Sequence, residues 1–360
     1  MPRSPLQSEA AGRLAAASSA LVIKPSSLGD VIHTLPAVER LHRHRPELAI
    51  DWVVNTEWAP LLDGNPCLRR VIPLPRREWR GWRDLPTARR WARDTLGPLQ
   101  PDLVLDFQGL LRSALLAKAS GGKFRVGFRR AREGAPLFYH HRVEVAAWER
   151  THAVDRYLQL VTDLGVPAEG AEQVHFPLPE GESVSGDGFS AEGPPFLLLH
   201  PFSRGRGKSM SFEEVTALCE RLPEHPIVLV GAGVSWPTDR PRPAHVVDLL
   251  GRTSLLQLIW LMRRARWIAS VDSGPMHLAA AVTPRLLSLH TWTDPLMVGP
   301  WRRDAWIWRD GNILPVRDVE PGQFPEDRRA RDRYADGILP EPGALDHVAG
   351  FLARRMAEGD

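Results

Sequence analysis

The feature that most constrains the fold of this chain is a strand-to-helix junction at residues 21–36. An apolar run, residues 21–23, stops at Lys24, and a short polar loop leads to residues whose apolar side chains recur at helical spacing. This pattern predicts a buried parallel strand, a tight loop and a helix N-terminus, the place where open α/β sheets bind ligands. Backbone N–H groups at such a helix start favour anions. Lys24 and Asp30 therefore lie where chemistry is commonly placed.

Asp30 has two interpretations at this point. Aspartate is among the preferred residues at helix N-termini, so this carboxylate is compatible with a purely structural capping role. It is also placed to act as a catalytic base, and Lys24 is either its neighbour in a site or a solvated strand end. The rest of the chain decides between these interpretations.

Composition bounds the class of protein. The 360 residues suffice for two domains, and 43% apolar with 25% charged residues indicates a soluble globular protein. The chain has no run of 18 apolar residues, which argues against a transmembrane helix. The two cysteines are far apart and lack metal-ligand spacing, which fits a reducing cytoplasm. Residues 1–20 are interpreted as a disordered N-terminal extension.

Basic residues are concentrated in the first half, although the net charge is only +3. Residues 68–93 contain nine arginines against two acids, and residues 123–142 form a second basic cluster. Such a surface suggests an anionic partner (a phosphorylated glycan, a membrane surface or a nucleic acid) or is simply solvated. Only four of the 46 basic residues are lysines, and two of these, Lys24 and Lys208, lie in strand-to-helix loops. A compact ammonium suits a phosphate or carboxylate partner there.

Strand–helix units are predicted in both halves of the chain. The first half has strands at 21–23, 50–54, 71–74, 103–106 and 125–128, helices at 34–44, 111–119 and 151–164, and helical character at 76–96. The second half has strands at 195–200, 227–230, 267–271 and 286–289, and helices at 212–222, 254–264, 276–282 and 345–356. Residues 165–195, rich in Gly, Pro, Glu and Ser, are typical of a linker.

These units predict two Rossmann-like domains, residues 21–175 and 190–340, facing across a cleft in the GT-B arrangement. Residues 341–358 are predicted to form a C-terminal helix that could cross back to the first domain. A dinucleotide dehydrogenase is disfavoured, because no G-x-G-x-x-G motif follows any predicted strand.

Two strand-end loops of the second half favour phosphate binding. Asp272 ends a predicted strand, and Ser273 and Gly274 lead into a helix whose free N–H groups suit a diphosphate. His277, in the first turn, is compatible with a phosphate contact or with packing. The glycine-punctuated loop around Ser203 and Lys208 either neutralises a nucleotide leaving group or is a mobile basic loop.

In this order along the chain, the motifs resemble glycosyltransferase family 9, the ADP-heptose:lipopolysaccharide heptosyltransferases. The resemblance runs from about residue 21 to residue 301. It is carried by residues 24–36, 51–54, 106–110 and 271–278, by the segment rich in arginine and tryptophan near 76–82, and by Arg132 before residues 137–139. Matches dispersed in this way are more specific than any single motif.

The resemblance implies a GT-B fold and a metal-independent, inverting transfer of heptose from ADP-heptose to a Kdo sugar of the lipopolysaccharide inner core, with no cofactor. It implies Asp30 as general base, and Lys208 with N–H groups near Gly274 as stabilisers of the departing diphosphate. The implied donor-binding residues are Ser203, Arg204, Lys208, Asp272, Ser273, Gly274, His277, Thr293 and Asp294. The implied acceptor-binding residues are Lys24, Ser27, Gly29, Arg76, Arg77, Arg80, Gln108, Arg112 and Arg132. The implied partners are the nucleotide sugar and a lipid-linked anionic glycan, and the implied location is cytoplasmic with peripheral contact at the inner membrane.

Departures from the family pattern keep other activities open. Thr291 and Trp292 replace a segment that often contains glycine, and Met210 replaces an aromatic residue. One alternative is a family 9 transferase with another nucleotide sugar or acceptor. Another is a non-catalytic GT-B-like protein that binds anionic glycan or nucleic acid through its arginines. The Lys24–Asp30 and Asp272–His277 pairs favour an enzyme over such a binding protein. For an enzyme of this family, no nucleic-acid partner is expected.

Overall fold

The chain divides into two units, Met1–Pro179 and Glu180–Asp360. The computed structural model describes residues 5–79, 81–184, 189–190 and 193–358. Arg80, one of the predicted acceptor-binding residues, therefore lies outside the described residues. The boundary between the units falls inside residues 165–195, the segment predicted to be a linker.

Six strands form the sheet of the first unit. They are β1 (Ser19–Ile23), β2 (Ala49–Asn55), β3 (Arg70–Leu74), β4 (Leu103–Asp106), β5 (Phe124–Phe128) and β6 (His141–Val143). Their order is β3-β2-β1-β4-β5-β6, and all neighbouring strands are parallel. The order reverses direction at β1, so the loops that follow β1 and β4 leave toward opposite sides and open a crevice at the carboxyl edge.

Most helices of the first unit bury one apolar stripe against the rest of the unit. The described α-helices are α1 (Pro5–Ala16), α2 (Leu28–His44), α3 (Leu85–Trp91), α4 (Leu111–Ala119) and α5 (Ala153–Asp163). Helix α5 shows such an apolar stripe most clearly. Its residues Val154, Leu158 and Val161 recur at helical spacing and are buried, and α5 packs on α2.

The N-terminal region corrects one prediction. Residues 1–20 were expected to be disordered, but residues 5–16 form α1 and β1 begins at Ser19. Ala10 and Leu14 are buried, and the Gln7 side chain donates a hydrogen bond of 2.6 Å to Asp163 at the end of α5. The alanine-rich composition was misread because small apolar residues at helical spacing serve a helix as well as a loose tail.

Seven strands form the sheet of the second unit. They are β7 (Leu197–His200), β8 (Ile227–Gly231), β9 (Val246–Leu250), β10 (Trp267–Val271), β11 (Leu286–Leu289), β12 (Trp306–Arg309) and β13 (Asn312–Pro315). The order is β13-β12-β11-β10-β7-β8-β9, with only the β12–β13 pair antiparallel. The first six of these strands repeat the order of the first unit, so the loops after β7 and β10 flank a second switch point.

The C-terminal helix belongs to the second unit. The described helices there are α6 (Phe212–Glu220), α7 (Leu255–Arg264), α8 (Gly274–Val282), α9 (Pro295–Val298) and α10 (Ala344–Ala357). Val348, Phe351 and Leu352 of α10 lie in one apolar cluster with strands β7, β8 and β10. The prediction that this helix could cross back to the first domain is therefore corrected: its apolar face is used in its own unit.

Four short strands escaped sequence prediction. β6 is three residues long, β9 has Asp248 in the middle of its five residues, and β12 and β13 are four residues each. The β12–β13 hairpin did carry a sequence signal, the adjacent residues Asp310 and Gly311. In the structure they have φ of +49° and +77°. An Asp-Gly pair with positive φ at both positions is the preferred two-residue hairpin turn.

Candidate active site

Asp30 is held in one orientation by the loop that follows β1. One of its oxygens, Oδ2, accepts hydrogen bonds from the Ser27 backbone N–H at 3.0 Å and from the Ser27 hydroxyl at 2.8 Å. Helix α2 begins at Leu28, earlier than the predicted start near residue 34. The contacts between Ser27 and Asp30 close its first turn and account for the earlier start. Gly29 is buried beside it in the first turn.

The other carboxylate oxygen of Asp30 faces a buried cation. The Lys24 side chain is 2% exposed, and its ammonium lies 3.4 Å from Asp30 Oδ1. That ammonium donates to the Tyr157 hydroxyl at 2.8 Å and to the Phe107 carbonyl at 3.2 Å. The Tyr157 hydroxyl donates in turn to Asp30 Oδ1 at 3.1 Å. Capping alone uses only Oδ2, so the buried lysine and tyrosine indicate a further role for this carboxylate.

The electrostatics keep Asp30 ionised. Burial alone would raise the pKa of Asp30, but the Lys24 ammonium and the hydrogen bonds from Ser27 and Tyr157 outweigh it and leave the pKa below its usual value. Burial lowers the pKa of Lys24, and the charge of Asp30 opposes that change. The Asp30 side chain remains 37% exposed. An ionised, accessible and oriented carboxylate is what general-base catalysis requires.

Tyr157 was missed as a site residue by sequence reasoning. Its spacing placed it on the apolar face of the helix predicted at residues 151–164. It is indeed buried, and its ring packs at 5.5 Å between centroids against Phe107. The missed signal is chemical, because a buried tyrosine hydroxyl requires a hydrogen-bond partner.

Replacing Tyr157 by phenylalanine is expected to move the acid limb of the pH profile of kcat/KM to higher pH. The hydrogen bond to Asp30 favours the charged carboxylate, so its loss raises the pKa of Asp30 and the base is ionised only at higher pH. Turnover on the plateau is expected to fall less than about tenfold. The measurement is the rate of nucleotide release from pH 3 to pH 9, because the acid limb of the unchanged protein lies at low pH.

Tyr139→Phe is the matched control. The Tyr139 hydroxyl donates at 2.7 Å to the buried carboxylate of Asp106, so this variant loses the same kind of bond away from Asp30. Its acid limb should coincide with that of the unchanged protein. An equal shift in both variants would contradict the assignment of Tyr157.

The loop after β4 lies against the loop after β1. Gln108 Oε1 accepts a hydrogen bond of 3.3 Å from the Ser26 backbone N–H. Asp106 fixes this loop by accepting from the N–H groups of Gln108 and Gly109 at 2.9 and 3.1 Å. Burial raises the pKa of Asp106, and these bonds oppose it. The Gly109 carbonyl accepts from the N–H of Arg132 at 2.9 Å, which ties Arg132 to the same edge.

Four of the predicted acceptor arginines are described, and they follow strands at the carboxyl edge of the first sheet. Arg76 and Arg77 follow β3 in a short 3-10 turn, where Arg77 Nε lies 3.3 Å from Glu57 Oε1. Arg112, in the first turn of α4, and Arg132 are exposed. Because carboxyl ends of parallel strands share one edge, these guanidinium groups lie on the side of the sheet that carries Asp30.

Lys208 does not point freely into solvent in the second unit. Its ammonium donates to Asp272 Oδ2 at 2.7 Å, and the Thr293 hydroxyl donates to the same oxygen at 2.7 Å. The ammonium also lies 4.8 Å from the centroid of the Trp292 ring. Sequence reasoning found Lys208, Asp272 and Thr293 separately, and the structure joins them in one cluster.

Lys208 supplies the positive charge that balances the Asp272 carboxylate in this cluster. Burial alone would raise the pKa of Asp272, but His290, Lys208 and the hydrogen bond from Thr293 lower it overall. Burial lowers the pKa of His290 to about 4, so His290 is uncharged at neutral pH. The Lys208 ammonium is therefore the cation that compensates Asp272. His290 was not predicted, although its place directly after β11 was the available signal.

The loop that carries Lys208 is fixed by its backbone. Gly207 has φ of +68°, and a Cβ there would come within 2.3 Å of the Arg331 carbonyl, so a glycine is required. Its carbonyl accepts from the Thr291 hydroxyl at 2.6 Å. The Ser203 hydroxyl accepts from Gly205 N–H at 3.3 Å, whereas Arg204 is exposed. These contacts define the backbone path of the loop that carries Lys208.

The loops after β10 and β11 place the other predicted donor residues. Ser273 precedes α8 and donates to the Val271 carbonyl at 3.0 Å, Gly274 opens that helix, and half-buried His277 lies in its first turn. Asp294 caps α9 by accepting from Leu296 N–H at 2.9 Å. The described residues contain no group of three or more His, Cys, Asp or Glu side chains placed to hold a metal ion.

Comparison with known proteins identifies the family. The sequence model of glycosyltransferase family 9 (heptosyltransferase) matches residues 89–319. The chain belongs to glycosyltransferase family 9. The lipopolysaccharide heptosyltransferase 1 of Pseudomonas aeruginosa is 34% identical over 306 residues, which cover 79% of this chain and 81% of that protein. A lipopolysaccharide heptosyltransferase 1 of Escherichia coli is 30% identical over 312 residues, which cover 80% of this chain and 92% of the relative.

Solved structures of family 9 share the fold. The Escherichia coli heptosyltransferase WaaC with ADP superposes with a TM-score of 0.72 at 23% identity, covering 94% of this chain and 99% of that one. The same enzyme with ADP-2-deoxy-2-fluoro heptose gives a TM-score of 0.69. The predictions of a GT-B fold and of a glycosyltransferase of family 9 are therefore confirmed.

Proposed function

We propose that this glycosyltransferase transfers heptose from ADP-heptose to a Kdo residue of the lipopolysaccharide inner core, with inversion at the anomeric carbon. The observation that carries the proposal is the ionised, partly exposed Asp30 carboxylate, buttressed by buried Lys24, at the switch point of the first sheet. The relatives named lipopolysaccharide heptosyltransferase 1 supply the sugar and the pathway step.

The reaction follows from these groups. Asp30 accepts the proton of the acceptor hydroxyl while that oxygen bonds to the anomeric carbon of heptose, and the bond from that carbon to ADP breaks with its electron pair going to the diphosphate. One carboxylate suffices for inversion, because the acceptor attacks directly. Lys208 and the N-terminus of α8 near Gly274 compensate the charge that develops on ADP.

The remaining predicted residues bind the two substrates in this proposal. On the donor side, Asp272 and Thr293 position Lys208, and Asp294 shapes the adjoining loop. The remaining donor contacts come from Ser203, Arg204, Ser273, Gly274 and His277. On the acceptor side, Lys24 was also predicted to bind, but its buried ammonium acts through Asp30 instead. The acceptor contacts come from Ser27, Gly29, Gln108 and arginines 76, 77, 80, 112 and 132. Bidentate guanidinium groups suit the carboxylates and phosphates of an inner-core glycolipid.

The direct test measures ADP release from ADP-heptose with Kdo-lipid A as acceptor. Release that requires both substrates, with ADP-glucose as a poor donor, is the expected result. Release from another nucleotide sugar, or onto another acceptor, would replace the proposed specificity within family 9. Saturable binding of the acceptor without any release would favour a non-catalytic glycan binder.

Charge reversal at Arg76 and Arg77, both to glutamate, is expected to raise the acceptor KM at least about tenfold while the donor KM stays unchanged. The reason is that both side chains follow β3 on the edge that carries Asp30. Initial rates with each substrate varied in turn provide the two constants.

The matched control changes Arg328 and Arg329 to glutamate. These are also adjacent exposed arginines, and Arg328 also pairs with a nearby glutamate. This variant lies in the second unit and should leave the acceptor KM unchanged. A rise in the donor KM alone in the Arg76 and Arg77 variant would show that the acceptor site is elsewhere.

Peripheral contact with the inner face of the inner membrane completes the proposal. Among the described residues, no helix is both long enough and apolar enough to cross a bilayer. A lipid-linked acceptor nevertheless has to be met at a membrane surface. The arginines of the first unit supply charge that anionic headgroups attract.

A further inference from the structure

Strongly exposed apolar side chains are concentrated in one part of the first unit. Of the six large apolar side chains that are exposed among the described residues, five belong to residues 82–137. They are Trp82 (76% exposed), Leu85 (54%), Leu111 (39%), Leu115 (48%) and Leu137 (80%). Single exposed leucines are ordinary, but a cluster of this kind marks an interaction surface.

The elements that carry these side chains are neighbours. Helix α4 contacts both the π-helical turn Ala92–Leu96 and the 3-10 turn Ala135–Phe138. Helix α3 packs on the turn Trp82–Asp84 and on Ala92–Leu96. Leu111 and Leu115 are four residues apart and so lie on one face of α4. The five side chains thus lie on neighbouring elements of the first unit, and we call this set the docking face.

The exposed side chains of the docking face are separate from the apolar core of the first unit. Helix α3 has no buried residue, and its segment is anchored instead by Trp79 and Trp91, whose rings meet edge to face at 5.7 Å and pack on the apolar core. Trp82 lies outside that anchor, with the Arg83 guanidinium 5.4 Å from its ring centroid. Trp82 is 76% exposed, so its ring contributes little to that anchor.

Positive charge surrounds the docking face. Arg89, Arg112 and Arg132 are exposed, and none of them has a salt bridge among the described residues. Tryptophan and leucine flanked by free arginines are the composition of surfaces that lie in the headgroup region of a membrane. Each such arginine adds attraction to an anionic leaflet.

We infer that the docking face inserts Trp82, Leu85 and Leu137 into an anionic lipid bilayer while the surrounding arginines bind lipid phosphates. A second copy of this chain fits less well, because a two-fold contact would place arginine opposite arginine. A nucleic acid would use the arginines and Trp82, but aliphatic leucines have no stacking partner there. The inference deepens the proposed function, since it names the surface that would bring the enzyme to a lipid-linked acceptor.

The test is cosedimentation of the full chain with vesicles, in the absence of any sugar substrate. Vesicles of phosphatidylethanolamine and phosphatidylglycerol are compared with vesicles of phosphatidylcholine alone. The unchanged protein should bind the anionic vesicles and release them at high salt. Trp82→Ser combined with Leu137→Ser should weaken this binding at least about tenfold, because apolar area is lost. Both side chains are at least 76% exposed, so the fold should survive.

Two further variants sharpen the result. Val298→Ser removes an exposed apolar side chain (38%) of the second unit and should bind vesicles like the unchanged protein. Leu111→Ser with Leu115→Ser tests the docking face on another element and should weaken binding. The Trp82 and Leu137 variant should still transfer heptose to a deacylated, water-soluble acceptor, so loss of membrane binding and loss of catalysis are separately observed.

Three outcomes would overturn the inference. One is binding of both serine double variants with the affinity of the unchanged protein. Another is absence of vesicle binding by the unchanged protein. The third is a dimer that the Trp82 and Leu137 variant converts to monomers without any change in vesicle binding.

Discussion

Replacing Asp30 by asparagine is expected to lower turnover by a factor of about 100 to 10,000, the range that a general base contributes. The amide keeps an oxygen that can accept from Ser27, so α2 should keep its cap. It cannot accept the acceptor's proton at neutral pH. Donor binding should change little, because the predicted donor residues lie in the second unit. The measurement pairs ADP release with titration calorimetry of ADP.

Asp84→Asn provides the comparison for this variant. Asp84 also accepts from the N–H three residues before it, Gly81, at 3.1 Å, and precedes α3. It shares the capping geometry of Asp30 without a buried lysine against it, so its replacement should leave turnover within about twofold. Full activity in the Asp30 variant would end the assignment of the base and leave Asp30 a cap.

Replacing Lys208 by alanine is expected to lower kcat/KM by a factor of about 100 or more, through a higher donor KM and a lower kcat. The same change leaves Asp272 buried without its cation, since His290 is uncharged at neutral pH. Breaking a buried pair in this way costs about 3–5 kcal/mol of stability. Activity and thermal unfolding therefore both respond, and they have to be separated.

A double variant separates them. Adding Asp272→Asn to Lys208→Ala removes the uncompensated charge and should restore most of the stability, while activity stays low because the diphosphate still lacks its cation. Initial rates and thermal denaturation of the single and double variants complete the cycle. Recovery of activity together with stability would show that Lys208 acts only on the fold.

Sequence patterns were sufficient for the elements that bury continuous apolar runs. Strands β1, β4, β10 and β11 were predicted to within a few residues, because parallel strands covered on both faces read as unbroken apolar segments. The strand-end residues Lys24, Asp30, Lys208 and Asp272 followed from the same rule. Strands β6 and β9 and helix α1 were not found, since neither short strands nor alanine-rich helices leave a distinctive period.

Contacts between distant residues were beyond sequence reasoning. Tyr157 touches Lys24 across 133 positions, and Lys208 touches Asp272 across 64. A helical period shows that Tyr157 is buried but not which polar group its hydroxyl meets. The partner of a buried charge depends on side-chain direction, which only the assembled sheet and helices determine.

The Lys208–Asp272 contact makes anion binding an exchange reaction. An anion that reaches the ammonium has to share or displace a carboxylate already 2.7 Å away, so its net gain is the difference between two attractions. A chloride ion, singly charged and without fixed geometry, gains little from that difference. A diphosphate carries more charge and can also reach the N-terminus of α8 at Ser273 and Gly274. The Asp272 carboxylate thus competes with every anion that approaches Lys208. Monovalent anions bind Lys208 weakly as a result, whereas a diphosphate still binds.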